Sequence, residues 1–373
     1  MAVTIATSPA NYSPSDNPLV FTFSSNQTAQ ANFSFTVETY FNAVLVSEDQ
    51  VFPEVSTYAH FDCSNVVRNL VNAPTIGLSV YQNSGTDGEY SIKVIENYGT
   101  PAIPHANATS STFTTFKARQ SDIDFVDVPL LSTFGVNTFL TNYPRAQRIE
   151  HDLASPFQLN IITDGGASEL FLNFFDANGG LIDNYSQTQS YMISQVNICS
   201  DTLAPLALTL TDLSYYTVQV EGSEMLTVYL ATNECNAMNT LCWINEFGAY
   251  DSFVFKHNLT TTGNVSSQSY GKQFGVWNGT TFEFNTAKSG NIKVSTTTIK
   301  GGTIYTDWVT ESQQHWLTEA YQSVTHIISD SSGVILNVSV TSTEFSFQQQ
   351  RFEELLSEAL TFTVNNTYKS ISI

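Results

Sequence analysis

The stretch Phe33-Ser34-Phe35-Thr36-Val37-Glu38-Thr39-Tyr40 alternates large apolar residues with small or polar ones. A repeat of two residues places Phe33, Phe35, Val37 and Thr39 on one face of an extended chain. Such alternation is typical of a β-strand that packs on one side and faces water on the other. The sequence therefore predicts sheets that bury one face, and the rest of the chain repeats the pattern.

Further strands are predicted on both sides of this stretch, at 19–23, 43–52, 76–82 and 89–96. The last two are predicted to form a hairpin through residues 83–88, which are rich in Gly, Asn and Asp. A short helix is predicted to begin at Asp62 or Ser64. Residues 99–115, rich in Pro, Ala, Ser and Thr, are predicted to be a linker. Short strands at roughly ten-residue spacing favour a β-sandwich.

A second group of strands is predicted at 157–163, 169–175, 180–185, 191–198, 207–211, 215–220 and 226–231. The turn Asp176-Ala177-Asn178-Gly179-Gly180 separates two of them, because Asn and Gly accept the positive φ that tight turns need. Asn17-Pro18 and Ser155-Pro156 each precede an alternating strand, an echo that tandem sandwiches would explain. Residues 235–255 predict a strongly apolar hairpin whose reversal uses Gly248.

The last third predicts strands at 282–284, 291–298, 303–305, 334–340, 345–347 and 360–364, with a short helix at 352–359. A helix is predicted near 309–324, where Thr310 and Gln313 form a capping box. We predict a mainly β chain of tandem antiparallel β-sandwiches, immunoglobulin-like or fibronectin-like, with one or two short helices. The expected domains are 1–117, 118–257 and 258–373.

Composition restricts the function. The chain has 373 residues, 13% aromatic and only 13% charged, with a net charge of −21. Its 13 Lys and Arg are scattered without a run or stripe, so neither direct nucleic-acid binding nor docking on an anionic membrane is expected. The N-terminal residues 1–15 lack the charged and apolar regions of a signal peptide, so none is predicted.

The four cysteines, Cys63, Cys199, Cys235 and Cys242, fit no metal motif. Buried free thiols are predicted, and a bridge between Cys235 and Cys242 is the alternative. None of the six histidines has metal spacing to another ligand residue, so no metal site and no cofactor is predicted. His151 lies next to Asp152 without a nucleophile motif, which disfavours a catalytic triad.

Two acidic groups are candidate catalytic carboxylates, but a solvated strand or helix face is favoured for both; they are Asp122, Asp124 and Asp127, and Glu353, Glu354 and Glu358. No catalytic residue is therefore assigned. Among the tryptophans, Trp243 and Trp316 are predicted to be core residues, and Trp308 carries no assignment. Trp277 is flanked by turn residues and is the best candidate for a surface contact, with Tyr270 beside it.

Four groups of segments together resemble virion structural proteins of tailed phages that infect Bacteroidetes, of the crAss-like type. The most specific is Trp-x-Asn-x-x-Gly-x-Tyr-Asp at 243–251. The groups are 17–21 with 33–35, 61–62 and 66–68; 139–145; 235–251; and 311–317 with 334–338. These are packing and turn residues, so the resemblance implies architecture and assembly in the tail or head-to-tail region.

From this resemblance we expect a non-enzymatic subunit of a tail, ring, collar or fibre attachment, made in the host cytoplasm and located in the virion. Its expected partners are other virion proteins and copies of itself. The alternative is a lectin-like or receptor-binding protein that recognises a host surface glycan, with Trp277 and Tyr270 as stacking residues. A polysaccharide-degrading enzyme is the least favoured class, because the sequence offers no paired carboxylates on one groove.

Overall fold

The computed structural model divides the chain into two compact units. The first comprises Met1–Ala231 and Trp243–Ser252, and the second comprises Thr232–Cys242 and Phe253–Ile373. The predicted division into three domains stays a prediction. The residues that the structure describes are 3–54, 57–120, 137–144, 147–163, 165–231, 238–256, 259–272, 275–284, 290–306, 309–330, 335–342 and 359–369.

The first unit is built almost wholly from strands. Its first ten are β1 (Val3–Thr7), β2 (Ser13–Pro14), β3 (Val20–Ser25), β4 (Ser34–Phe41), β5 (Val44–Val51), β6 (Tyr58–Asp62), β7 (Tyr81–Asn83), β8 (Asp87–Gly99), β9 (Ala102–Thr109) and β10 (Phe113–Phe116). The next eight are β11 (Thr138–Phe139), β12 (Ile149–His151), β13 (Phe157–Ile162), β14 (Ser168–Phe175), β15 (Leu181–Gln189), β16 (Ile193–Ile198), β17 (Tyr215–Val220) and β18 (Leu226–Leu230). The helices among its described residues are α1 (Ser64–Val67) and α2 (Ser200–Leu203), and a 3₁₀ turn, Ala204–Leu206, follows α2.

The first sandwich packs the sheet β1-β3-β6 against the sheet β2-β10-β8-β4-β5, with β9 added to β8. Phe35 and Val37 of β4 are fully buried, as the alternation at 33–40 predicts. The rings of Phe23 and Phe35 meet edge to face with centroids 5.0 Å apart. Each fully buried Phe contributes roughly 1.5–3 kcal/mol, so this aromatic layer is the main stabilisation of the sandwich.

The second sandwich packs the sheet β11-β13-β16-β7 against the sheet β12-β18-β17-β14-β15. Phe157 of β13 contacts Tyr216 of β17 with ring centroids 6.3 Å apart, which places the two sheets face to face. Most strand pairs are antiparallel, and two short pairs, β2–β10 and β12–β18, are parallel. The prediction of a mainly β chain with tandem antiparallel sandwiches is confirmed.

The predicted strand 76–82 is wrong over most of its length, because only Tyr81–Asn83 is a strand. The residues before it lie across the outer face of β13 and β16, where buried amide side chains bind their backbone. Gln195 Nε2 donates to Thr75 O at 2.9 Å, and Asn197 Nδ2 donates to Gly77 O. This segment therefore satisfies polar groups that would otherwise be buried without partners.

The predicted hairpin through residues 83–88 is also wrong. β7 pairs with β16, and β8 pairs with β4, β9 and β10 in the other sandwich. Tyr81 helps to hold β7 in the second sandwich, because its buried hydroxyl forms a 2.9 Å hydrogen bond with Ser168 on β14 of the facing sheet. Residues 99–115 are not a linker either, since they contain β9 and β10. Their Thr and Ala residues suit a strand that completes a sheet.

Two smaller predictions are corrected. Residues 207–211 are not a strand, because the chain turns at Ala207 with φ of 53° and Thr209 N donates to the Asp183 carboxylate. The two strands predicted at 291–298 and 303–305 form one continuous strand, Gly290–Tyr305. Its glycines, Gly301 and Gly302, lie against Phe362 and do not break the strand.

The described strands after Ala231 are β19 (Asn239–Ile244), β20 (Tyr250–Phe255), β21 (Thr260–Lys272), β22 (Gly275–Trp277), β23 (Phe282–Phe284), β24 (Gly290–Tyr305), β25 (His326–Asp330), β26 (Ile335–Val340) and β27 (Ala359–Lys369). Seven form a sheet in the order β20-β19-β25-β26-β27-β24-β21. The predicted helix is α3 (Glu311–Gln322), with the Thr310–Gln313 capping box in place. The predicted strand at 345–347 lies outside the described residues, and so does the predicted helix at 352–359 except for Ala359, which begins β27.

The tip of the β19–β20 hairpin is organised by one asparagine. Asn245 Oδ1 accepts hydrogen bonds from the backbone N–H groups of Phe247 and Ala249, both at 3.0 Å. Asn245 Nδ2 donates to Leu140 O at 2.9 Å, which fastens the tip to the rest of the first unit. Gly248 has a φ of +67°. A Cβ there would lie 1.4 Å from Lys117 O, so only glycine fits.

We expect Gly248→Ala to destabilise the first unit far more than Gly85→Ala. Gly85 has nearly the same φ, +66°, but a Cβ on it would meet nothing within 4 Å. Gly85→Ala should therefore lose only the left-handed backbone penalty of about 1–2 kcal/mol. Gly248→Ala adds a backbone collision and should lose at least about 3 kcal/mol in total. Equilibrium urea unfolding measures the loss of stability in both variants. Equal losses would contradict the close packing of Gly248 against Lys117 O.

Candidate functional site

One strand of the second unit, β21, leaves its side chains unburied. We call β21 to β24 the arm. Every residue from Thr260 to Gly271 is exposed, on both faces of the strand. The 13 residues of β21 span about 40 Å at 3.3 Å per residue. A strand exposed on both faces gains little hydrophobic burial, unlike the strands that form the cores of the sandwiches.

The arm is supported at its base only. β24 pairs with β27 from Thr297 to Tyr305. Among the described residues, the outer part of β24, before Thr297, pairs with β21 alone. A two-stranded ribbon with neither face covered is marginally stable in water. The outer half of the arm therefore has the features of an element that gains stability by docking on another surface.

The arm ends in an aromatic face. β22 pairs with β23 so that Trp277 lies opposite Phe282, and Phe284 follows on the same face. Trp277 is 62% exposed and Phe284 is 77% exposed. The rings of Phe282 and Phe284 meet edge to face with centroids 5.1 Å apart. A cluster of exposed aromatic side chains is a feature of interaction sites. We call Trp277, Phe282 and Phe284 the aromatic tip.

The turn that presents the tip is held by Asn278. Its Oδ1 accepts from the backbone N–H groups of Thr280 and Thr281 at 2.9 and 2.8 Å. Its Nδ2 donates to Glu283 Oε1 at 2.6 Å, and Gly279 supplies the positive φ of +99°. The polar side chains next to Trp277 are thus occupied in holding the turn.

Both predicted contact residues lie on the arm. Tyr270 is 53% exposed and sits on β21, in register with Ile292, whereas Trp277 belongs to the separate β22–β23 pair. The structure joins Trp277 to Phe282 and Phe284, which sequence reasoning did not select. The available signal was the Phe282-Glu283-Phe284 alternation across an Asn-Gly turn from Trp277, which is a hairpin pattern.

The other candidate residues lie elsewhere. Trp243 and Trp316 are buried, as predicted. Cys63 is a buried free thiol, and burial raises its pKa above the usual range. Cys235, Trp308 and both acidic groups lie outside the described residues. Within the part of the chain that the structure describes, no group of three His, Cys, Asp or Glu is placed to hold a metal ion. None of the described helices is long and apolar enough to cross a membrane.

His151 is part of the core of the second sandwich. Its Nε2 donates to Ser155 O at 2.8 Å, and Tyr216 donates to its Nδ1 at 2.8 Å. This arrangement fits the neutral imidazole, with the proton on Nε2. Burial lowers the pKa of His151 to about 4, because a charged ring would lose its hydration. Both ring nitrogens are thus used in packing between β12 and β17.

Comparison with known proteins identifies no family. No protein-family model matches the chain, and no curated protein matches it. One matching solved structure is the crystal structure of Dpr2 Ig1-Ig2 in complex with DIP-Theta Ig1-Ig3, at 7% identity. The match covers 98% of this chain and 90% of that chain with a TM-score of 0.20. So low a TM-score carries no argument, and the sandwich architecture is established by the strand pairing itself.

We expect His151→Gln to remove a pH-dependent part of the stability. The folded-state pKa of about 4 lies below the ordinary 6.5, so the unfolded chain binds the proton first. The stabilisation is therefore complete above about pH 6.5 and is lost as pH falls toward 4. It amounts to roughly 3 kcal/mol at 1.36 kcal/mol per pKa unit.

The measurement is the free energy of unfolding from pH 7.5 to 4 in wild type and variant. Wild type should lose stability more steeply than His151→Gln, whatever the difference at pH 7.5. His60→Gln, at an exposed position, is the control for loss of one imidazole. Parallel curves for wild type and His151→Gln would show that this histidine does not contribute to the acid response.

Proposed function

We propose that the chain is a non-enzymatic structural subunit of a tailed bacteriophage virion, in a tail, ring, collar or fibre attachment. It assembles there by contacts with other virion proteins and with copies of itself. The proposed location is the virion, after synthesis in the cytoplasm of the bacterial host. The resemblance to virion proteins of Bacteroidetes phages supports the class, and the arm supports the mode of action.

The observation that carries the proposal is the exposed aromatic tip of the arm, whose strand β21 is exposed to water on both faces. Trp277, Phe282 and Phe284 expose apolar surface at the end of a ribbon that has no core of its own. Exposing these aromatic side chains to water costs free energy, and that cost is removed when another protein covers the surface. A chain that combines sandwich domains with an uncovered contact element suits a repeating assembly, in which each subunit is bound by its neighbours.

The proposal gives no residue a catalytic role. His151 is sealed between sheets, where its neutral form is favoured and both ring nitrogens are hydrogen-bonded. One described surface groove, of about 460 Å³, is lined by residues that include Arg148, Glu224 and Tyr229, and another, of about 330 Å³, by residues that include Glu48 and Asp49. Glu224 is a single carboxylate. Glu48 and Asp49 are consecutive on β5, so alternation directs their side chains to opposite faces of the strand and not toward each other as the acid–base pair of glycoside hydrolysis.

A lectin-like protein that binds a host surface glycan is the second candidate. The 62% exposure of Trp277 favours it, because sugars stack on exposed indole rings. Against it, a glycan site also needs free polar groups to bind hydroxyls. Asn278 and Glu283, two polar side chains of the same hairpin, bond each other in the turn. The aromatic tip therefore fits an apolar protein surface better than a sugar.

We expect Trp277→Ser/Phe284→Ser to reduce incorporation into particles strongly, by about tenfold or more, because buried aromatic anchors dominate interface energies. Incorporation is measured by quantitative mass spectrometry of gradient-purified virions made with either form of the protein. Leu78→Ser is the matched control, since Leu78 is 90% exposed but lies in the first unit, away from the arm in sequence. It should incorporate normally.

Absence of the wild-type protein from purified virions would refute the proposal. A glycan array separates the second candidate. A sugar-dependent signal that Trp277→Ala abolishes would favour the lectin-like protein, whereas a scaffold subunit gives none.

A further inference from the structure

The arm and the rest of the chain carry opposite charge. Residues 259–305 contain Lys272, Lys288, Lys293 and Lys300 against one acid, Glu283, a net charge of +3. The whole chain has a net charge of −21, so the remaining residues carry −24. The lysines are scattered along the sequence, but the pairing of β21 with β24 brings three of them into one ribbon. The arm is thus attracted to surfaces like that of the chain it extends from.

Strand β5 offers a surface of the matching kind. It lies at the end of its sheet and, among the described residues, pairs only with β4, so its outer backbone edge is open. Val44 is 63% exposed, and Phe52, just past the strand, is 59% exposed. A groove of about 330 Å³ over the same sheet is lined by Glu48 and Asp49 of β5 and by residues of β4, β8 and β9. Open edge, apolar side chains and carboxylates therefore occur together.

The arm has the complementary features. β21 is the last strand of its sheet, so it too has an open backbone edge. Lys293 and Lys300 are exposed on the neighbouring strand β24. Two open edges join readily by backbone hydrogen bonds, which is how added strands bind to sheets.

We propose that the arm of one copy docks along β5 of a second copy of this chain. The edge of β21 pairs with the edge of β5, Lys293 of β24 comes within reach of Glu48 and Asp49, and the aromatic tip covers exposed apolar surface at one end of β5, at Val44 or at Phe52. The inference rests on the proposed role as an assembly subunit and names one partner and the two surfaces. The occupant is a second copy because its β5 region supplies opposite charge, an open edge and apolar surface.

The charge pattern disfavours nucleic acid as the occupant. Four lysines in 47 residues give few phosphate contacts, and the remaining −24 charges repel a polyanion. The same negative charge makes the parts of two copies outside the arm repel each other, so the arm is the part that attracts a second copy. Because the arm and β5 are different surfaces, the contact is heterologous and repeats from copy to copy.

The test is a charge swap measured by sedimentation velocity over a range of protein concentrations. We expect wild type to self-associate, more weakly at 0.5 M than at 0.05 M salt, since screening weakens exposed charge pairs. Lys293→Glu and Glu48→Lys/Asp49→Lys should each weaken self-association by about tenfold or more. An equimolar mixture of the two variants should associate again, because it restores one attractive pair of surfaces.

Arg68→Glu is the control for adding negative charge at an exposed position outside the arm, and circular dichroism checks that all variants fold. Unchanged self-association in both variants overturns the docking site. A monomeric wild type that still enters virions overturns self-association and leaves the proposed function standing. A wild type that binds a DNA duplex through the arm and stays monomeric also overturns it. A protein absent from virions that self-associates as described refutes the proposed function alone.

Discussion

Each sheet of the first unit is held by the need of its strands to bury one face against a facing sheet. Phe23 against Phe35, and Phe157 against Tyr216, mark the two layers where this happens. Because side chains alternate across a strand, burying one face fixes the register of every strand in the sheet. Two segments outside the strands bind groups that the sandwiches leave uncovered. The hairpin tip binds Leu140 O through Asn245, and the residues before β7 bind the side chain of Gln195.

The arm is the exception to this rule, and the exception carries the functional argument. Its outer half is a ribbon whose two faces meet water, so the hydrophobic effect gives it little stability as part of this chain. Trp277 and Phe284 are costly to expose, whereas residues such as Thr261 and Ser266 are not. A sequence that keeps aromatic residues at the end of an otherwise Thr- and Ser-rich ribbon fits a surface that is covered in an assembly.

The sequence predicted what depends on near neighbours and missed what depends on distant ones. Alternation located β3, β4 and β14, and the capping box located α3, because these signals lie within a few residues. Partner choice is not local. In the second sandwich β7 is held partly by Tyr81, which reaches Ser168, 87 residues away, a contact that no turn signal at 83–88 reveals. Residues 99–115 lack alternating apolar side chains because β9 is exposed on most of its length, so composition alone indicated a linker.

The same distinction applies to the candidate surface. Trp277 was found because turn residues flank it, but its neighbours Phe282 and Phe284 join it only through strand pairing. The lysines formed no run in sequence, and strand pairing gathers them on one element. At physiological ionic strength charges act over about 8 Å, far less than the length of β21. The net charge of −21 therefore does not decide what the arm meets; the local sign does, and it is opposite on the arm and on β5.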